Sequence, residues 1–91
     1  MSAPSRRDLE KFIDRMNQLA RSNKSALDHS EDQVARQCGL DLGNATRRHR
    51  IDSGSRKVIT RDIGEHVLAQ DITLDQPYFL EDRNKRRLYP R

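Results

Sequence analysis

Tryptophan is absent, cysteine occurs once, and Phe12, Tyr78, Phe79 and Tyr89 are the only aromatics in 91 residues. A single cysteine cannot form an internal disulfide, so a stapled secreted scaffold is excluded and a cytoplasmic, reducing compartment is expected. No uncharged run approaches the roughly 20 apolar residues of a membrane-spanning helix, so no membrane partner is expected. No apolar stretch follows the basic pair Arg6-Arg7, so a secretory signal is not expected either. Glycines 39, 43, 54 and 64 are scattered and form no phosphate-cradling loop. Leu, Ile, Val and Phe together number 19, a share close to the limit below which chains stop folding unaided. This length supports one small domain with a thin core.

Charge is what the chain has in abundance: 35% of residues are ionisable Asp, Glu, Lys or Arg, and the net charge is +4. Its layout says more than its sum. Residues 1–41 are balanced. Residues 42–61 carry Arg47, Arg48, Arg50, Arg56, Lys57 and Arg61 against Asp52 alone. Residues 62–82 carry Asp62, Glu65, Asp71, Asp75, Glu81 and Asp82 with no cation, and residues 83–91 carry Arg83, Lys85, Arg86, Arg87 and Arg91 with no acid. The predominance of arginine over lysine suits bidentate phosphate binding. The acidic block could equally fold back on either basic block and neutralise it.

Leu9, Phe12, Ile13, Met16, Leu19 and Ala20 recur at the spacing of one helical face, which predicts an amphipathic helix from Ser5 to Arg21, capped by Ser5 and ended by Asn23-Lys24-Ser25. Ser30-Glu31-Asp32-Gln33 reads as a capping box opening a second helix, with Val34, Ala35 and Cys38 on its apolar face and Gly39 as its stop. A third helix is expected from Leu42 to Ile51, before the break at Asp52-Ser53-Gly54-Ser55. Residues 57–72 have two readings. Branched residues flanking Gly64-Glu65 favour a hairpin, whereas Ile59, Ile63 and Val67, four apart with Thr60 as the cap, would suit a helix. Residues 76–91 read either as a second hairpin with a basic tip or as an extended arm bracketed by Pro77 and Pro90.

Residues 31–50 resemble the helix-turn-helix of DNA-binding proteins. Ala35 is small where two such helices touch, Gly39 follows where the turn needs a positive φ, and Val34, Cys38 and Leu40 are apolar where the motif packs inward. The chain departs from the pattern at Ala45 and Arg48. The resemblance implies that Leu42–Ile51 is a recognition helix presenting Asn44, Thr46, Arg47, Arg48 and Arg50 to base edges. Arg56 and Lys57 would hold phosphates, and Arg83, Lys85, Arg86 and Arg87 would form a wing like that of winged-helix proteins. The bland alternative is an ordinary turn between two core helices with the arginines solvated.

Catalysis finds little support. His29, His49 and His66 lie apart, no second cysteine completes a zinc site, and Cys38 sits four residues after Val34 as a small core residue would. Asp28, His29 and Asp32 could meet on one turn, but surface clusters of this kind are frequent. No enzyme activity, metal or cofactor is expected. Tyr78, Phe79 and Tyr89 could stack on single-stranded bases but fit better as anchors of the C-terminal segment.

The expected fold is therefore mainly α, a small three-helix helix-turn-helix core over residues 1–75, with residues 76–91 as a basic arm or hairpin that would lend winged-helix-like α+β character. The expected function is that of a small DNA-binding protein, a transcriptional regulator or nucleoprotein accessory factor acting as a homodimer, with RNA as a variant partner. The competing expectation is a non-enzymatic adaptor or small subunit that binds a protein through residues 76–91.

Overall fold

The protein is described by a computed structural model that covers residues 4–22, 27–43 and 45–90, with the backbone alone at 27–29. Helix α1 spans Arg6–Ser22. As expected, Ser5 caps it: the Asp8 N–H donates to Ser5 Oγ at 3.2 Å. Arg6 lies at the unfavourable end of the dipole but pairs with Glu10 one turn on, at 2.9 Å. The expected stripe is buried, with Leu9, Phe12, Ile13 and Met16 fully excluded from solvent. Asn23-Lys24-Ser25 lies outside the described residues. Helix α2 spans Leu27–Gln37, so it is under way three residues before Ser30, and the expected capping box sits inside it. Its end is as expected. Gly39 has φ +75°, Leu40 N–H donates to the Ala35 carbonyl at 2.8 Å, and Gly39 N–H donates to that of Arg36 at 3.1 Å. That is a Schellman closure, and it drops Leu40 into the core beside Ala35.

The three-helix core does not form. Among the described residues two helices are followed by five strands: β1 Arg47–Asp52, β2 Arg56–Ile63, β3 His66–Gln70, β4 Tyr78–Glu81 and β5 Arg87–Tyr89. They make one antiparallel meander in the order β1-β2-β3-β4-β5, so the fold is α+β. The expected third helix fails because its segment has no apolar stripe: on a helix, Ile51 would point opposite Leu42. As strand β1 it pairs along its whole length with β2, from Arg47↔Arg61 to Asp52↔Arg56. Residues 57–72 resolve as the hairpin, with Ile63↔His66 closing on Gly64-Glu65 and Gly64 at φ +60°, as a two-residue loop of this type requires. Residues 76–90 supply β4 and β5, a second hairpin in the same sheet.

The sheet is apolar on both faces. Register places Arg61, Ile63, Leu68, Tyr78, Leu80 and Tyr89 on the face toward the helices, where Ile63, Leu68, Tyr78 and Leu80 join the α1–α2 stripe in the main core. Phe12 meets Tyr78 edge to face with ring centroids 5.8 Å apart. The opposite face holds a second, smaller cluster of Val58, Ala69 and Phe79 with Leu74 against it.

Four side chains tie the layers together. The Asn17 amide bonds the main chain of Tyr78, the Tyr78 hydroxyl donates to Glu31 Oε2 at 2.7 Å, and the other oxygen of Glu31 pairs with Arg61 at 2.5 Å. α1, β4, α2 and β2 are thus connected through one buried polar chain, and the charge of Glu31 is compensated where water is scarce.

Candidate nucleic-acid interface

Arg50 on β1 donates from Nη1 to Glu81 Oε1 on β4 at 2.7 Å and from Nε to Asp52 at 2.7 Å. A second guanidinium nitrogen closes the fork on Glu81. In register, Glu81 lies level with Val67 and Asp62, and hence with the residue before Arg47. On a flat sheet Arg50 would stand three strand spacings across and four residues along from it, about 19 Å away. An arginine and a glutamate cannot bridge that gap. The sheet must coil toward the face away from the helices, and the irregularity at Leu80/Glu81 supplies local twist. Arg50 and Glu81 fasten the coil over Val58 and Ala69, while the Arg87 guanidinium lies 4.7 Å from the centre of the Phe79 ring. A cation and an ion pair thus cover the second core.

The coil unites the two basic blocks. Asp52, at the foot of the β1–β2 loop, has its carboxyl held below the ordinary range first by the hydrogen bonds from Arg50, and further by Lys85 and Arg56. Lys85 belongs to the β4–β5 tip and Arg56 to β2, so the tips of both hairpins share one electrostatic neighbourhood. Arg50 in turn holds its proton more firmly than a free guanidinium, chiefly through Glu81 and then Asp52. Each tip is built by local chemistry. Gly54, at φ +82°, takes the third position of the turn closed by Ser55 N–H to the Asp52 carbonyl at 3.1 Å. Asp82 caps the other tip, accepting from the Arg86 main-chain N–H and from its Nε, both at 2.8 Å.

The residues expected to touch DNA fall into three groups. Arg47, Arg56, Lys57, Arg83 and Lys85 are exposed and have no ion-pair partner among the described residues, and Thr46 is exposed on the lead into β1. Arg48 and Arg86 are paired but wet: Arg48 meets Asp62 at 3.6 Å and Arg86 meets Asp82 at 2.8 Å, with their side chains 69% and 76% exposed. Such surface pairs are worth about 0–1 kcal/mol and exchange readily for another anion. Arg50 is half-buried and committed to Glu81, whereas Arg87 is exposed, donating from Nε to the Pro90 carbonyl at 3.0 Å with its guanidinium over the Phe79 ring. Asn44 lies outside the described residues. None of the described site residues stands on a helix, so the expected recognition helix is replaced by an edge strand.

Sequence reasoning missed three residues here. Ile51 and Ile72 are 72% and 65% exposed, and His49 shares a shallow groove with Ile51 and Lys57. The alternation Arg47-His49-Ile51 on one face of β1 was the available signal, hidden by reading the segment with helical period. The acidic block also proves divided in role: Asp62, Glu81 and Asp82 pair with Arg48, Arg50 and Arg86, while Arg56, Arg83 and Lys85 have no ion-pair partner among the described residues.

Among the described residues no three His, Cys, Asp or Glu side chains gather as a metal site, and no helix is long and apolar enough to cross a membrane. Burial chiefly pushes the Cys38 thiol up, away from the reactive thiolate. No protein-family model matches the chain, and neither a curated protein nor a solved structure does.

Proposed function

We propose that this protein binds duplex DNA through its phosphates, with Arg47, Arg56, Lys57, Arg83 and Lys85 as the contacts and with Arg48 and Arg86 joining when phosphate displaces their surface partners. The observation that carries the reading is the Arg50–Glu81 ion pair, which joins β1 to β4 and so draws the two basic hairpins together, while Arg47, Arg56, Lys57, Arg83 and Lys85 are exposed with no ion-pair partner among the described residues. A cationic rim of this kind neutralises phosphates and releases counterions.

Single-stranded nucleic acid is the weaker fit. Its binding draws on exposed aromatic platforms. Here Phe12, Tyr78 and Phe79 are buried and the Tyr89 hydroxyl is tied to Asp14. Contacts made mainly to phosphate position a protein without reading sequence, which favours a nucleoprotein accessory factor over a site-specific regulator.

The test is a salt titration of binding to duplex DNA, single-stranded DNA and RNA, starting near 20 mM salt. Five phosphate contacts predict a slope of log K on log salt of about −4.5. Arg56→Ala with Lys57→Ala, or Arg83→Ala with Lys85→Ala, should each reduce that slope by about 1.8, while Lys11→Ala with Arg15→Ala on the exposed side of α1 should leave it unchanged. Absence of duplex binding at low salt rejects the proposal. Tighter binding to single strands or to RNA rejects its duplex part.

A further inference from the structure

In a chain with so few apolar residues, two isoleucines are left in water, and both flank the same cation. Lys57 is the cross-strand partner of Ile51. On its other side the β2–β3 ladder ends at Ile59↔Gln70, and Ile72, in the turn that follows β3, lines one shallow groove with Lys57. Lys57 also lines two adjoining shallow grooves, one shared with Ile51 and the other with Ile72, Ser55 and Arg56. The row is apolar, cationic, apolar, at the open end of the sheet. Among the described residues α1 packs on β4 and on α2, whereas β1 packs chiefly on its strand partner β2.

A single exposed isoleucine is ordinary on any surface. A pair astride one lysine is a small amphiphilic surface whose chemistry narrows its occupant. Two isoleucines offer roughly 200 Å² of apolar area, well below the 1,200 Å² or more of a stable protein interface. A second copy would also bring Lys57 and Arg56 against their own kind. A DNA duplex supplies what the row lacks: phosphates for the cations, and sugar faces or an opened base step for aliphatic side chains.

Resting on the duplex-binding reading above, we infer that Ile51 and Ile72 are wedges. They press against the sugars and a base step while Arg56 and Lys57 hold the flanking phosphates, so that binding bends the DNA. Partial unstacking is compensated by the extra contact that the bend allows. Bending is then an activity of the isoleucines, separable from the affinity that the cations supply.

The test uses the full chain and a duplex of about 30 base pairs labelled at both ends for energy transfer. The wild type should shorten the end-to-end distance. Ile51→Ser with Ile72→Ser should abolish the shortening and weaken binding by about tenfold to a hundredfold, with the slope of log K on log salt unchanged. Because both side chains are exposed, the thermal midpoint should hold, which separates lost wedges from lost fold. Lys57→Ala should do the reverse, lowering the slope while the complex that forms remains bent. Binding without shortening, or shortening that survives in the double serine variant, overturns the wedge role and leaves the phosphate reading standing. No binding at low salt overturns both. If the serine variant instead binds DNA normally but loses binding to anionic phosphatidylglycerol vesicles, the row is a lipid contact and the inference is wrong.

Discussion

The side-chain amide of Asn17 makes both hydrogen bonds of a β-partner with a single residue, Tyr78. Its Nδ2 donates to the Tyr78 carbonyl at 3.0 Å, and its Oδ1 accepts from the Tyr78 N–H at 2.9 Å. α1 is docked on β4 by one polar side chain in the middle of an otherwise apolar stripe, and Asn17 is buried there at 4% exposure.

Truncating that side chain should therefore cost far more than its size suggests. Asn17→Ala removes two buried hydrogen bonds and is expected to lower unfolding free energy by about 2–4 kcal/mol in urea melts. Asn17→Asp, which keeps the acceptor, loses the donor and introduces a charge, should be at least as damaging. Gln18→Ala, one residue away and exposed, should stay within about 0.5 kcal/mol. Equal effects at 17 and 18 would show that the docking bond is energetically idle.

The latch between Arg50 and Glu81 makes an asymmetric prediction. Arg50→Ala strands a carboxylate whose side chain is only 3% exposed and should destabilise by roughly 3–5 kcal/mol. Replacing both partners, Arg50→Met with Glu81→Leu, should recover most of that loss, because neither charge is left unpaired. A double-mutant cycle by chemical denaturation reads this directly, and additive losses would rule out the latch.

Tyr89 carries the alkaline side of the stability profile. Its hydroxyl donates to Asp14, and that hydrogen bond, ahead of burial, pushes its pKa up to about 12. The folded state thus holds a proton that the unfolded chain releases near pH 10, so this contribution is full below pH 10 and fades as pH rises toward 12. Ultraviolet titration should show a late-ionising tyrosine that moves earlier in Asp14→Asn. An unchanged profile in that variant would detach Tyr89 from Asp14.

Asp52 works at the acid side, with the opposite sign. Its carboxyl is lowered first by Arg50, so the stabilisation is present above its unfolded value near pH 4 and lost as pH falls through the lower folded value. Asp52→Asn should flatten the acid limb of the stability curve, and nuclear magnetic resonance titration should find the Asp52 carboxyl ionising below an ordinary aspartate.

Gly39 supplies a backbone test. Its φ is +75°, and a Cβ added there would have no neighbour within 4 Å, so Gly39→Ala isolates the cost of the left-handed conformation. The expected loss is about 1–2 kcal/mol by thermal melting, with Gly39→Asn milder.

Several elements were legible in the chain because they depend on neighbours in sequence. The stripe from Leu9 to Ala20, the Ser5 cap and the stop at Gly39 each follow from residues within a turn of one another, whereas the turn at Gly64 was one of two open readings that strand pairing decided. The third helix misled because Gly39 and the small Ala35 suit a Schellman closure as well as a helix-turn-helix, and the conformation of the segment beyond them is decided by pairing with β2. A segment as polar as Arg47–Asp52 has no periodic signal strong enough to reveal that partner.

Amino-acid order alone determined the first helix with its Ser5 cap, the stop at Gly39, and the sorting of charge into alternating blocks, since these rest on local hydrogen bonds and on composition. The tertiary structure alone decided which charges survive. Coiling of the sheet brings Glu81 to Arg50, residues some thirty positions apart, beside the small cluster of Val58, Ala69 and Phe79. An ion pair forms or fails according to distance and solvent exposure, and neither quantity is written in the order of the residues.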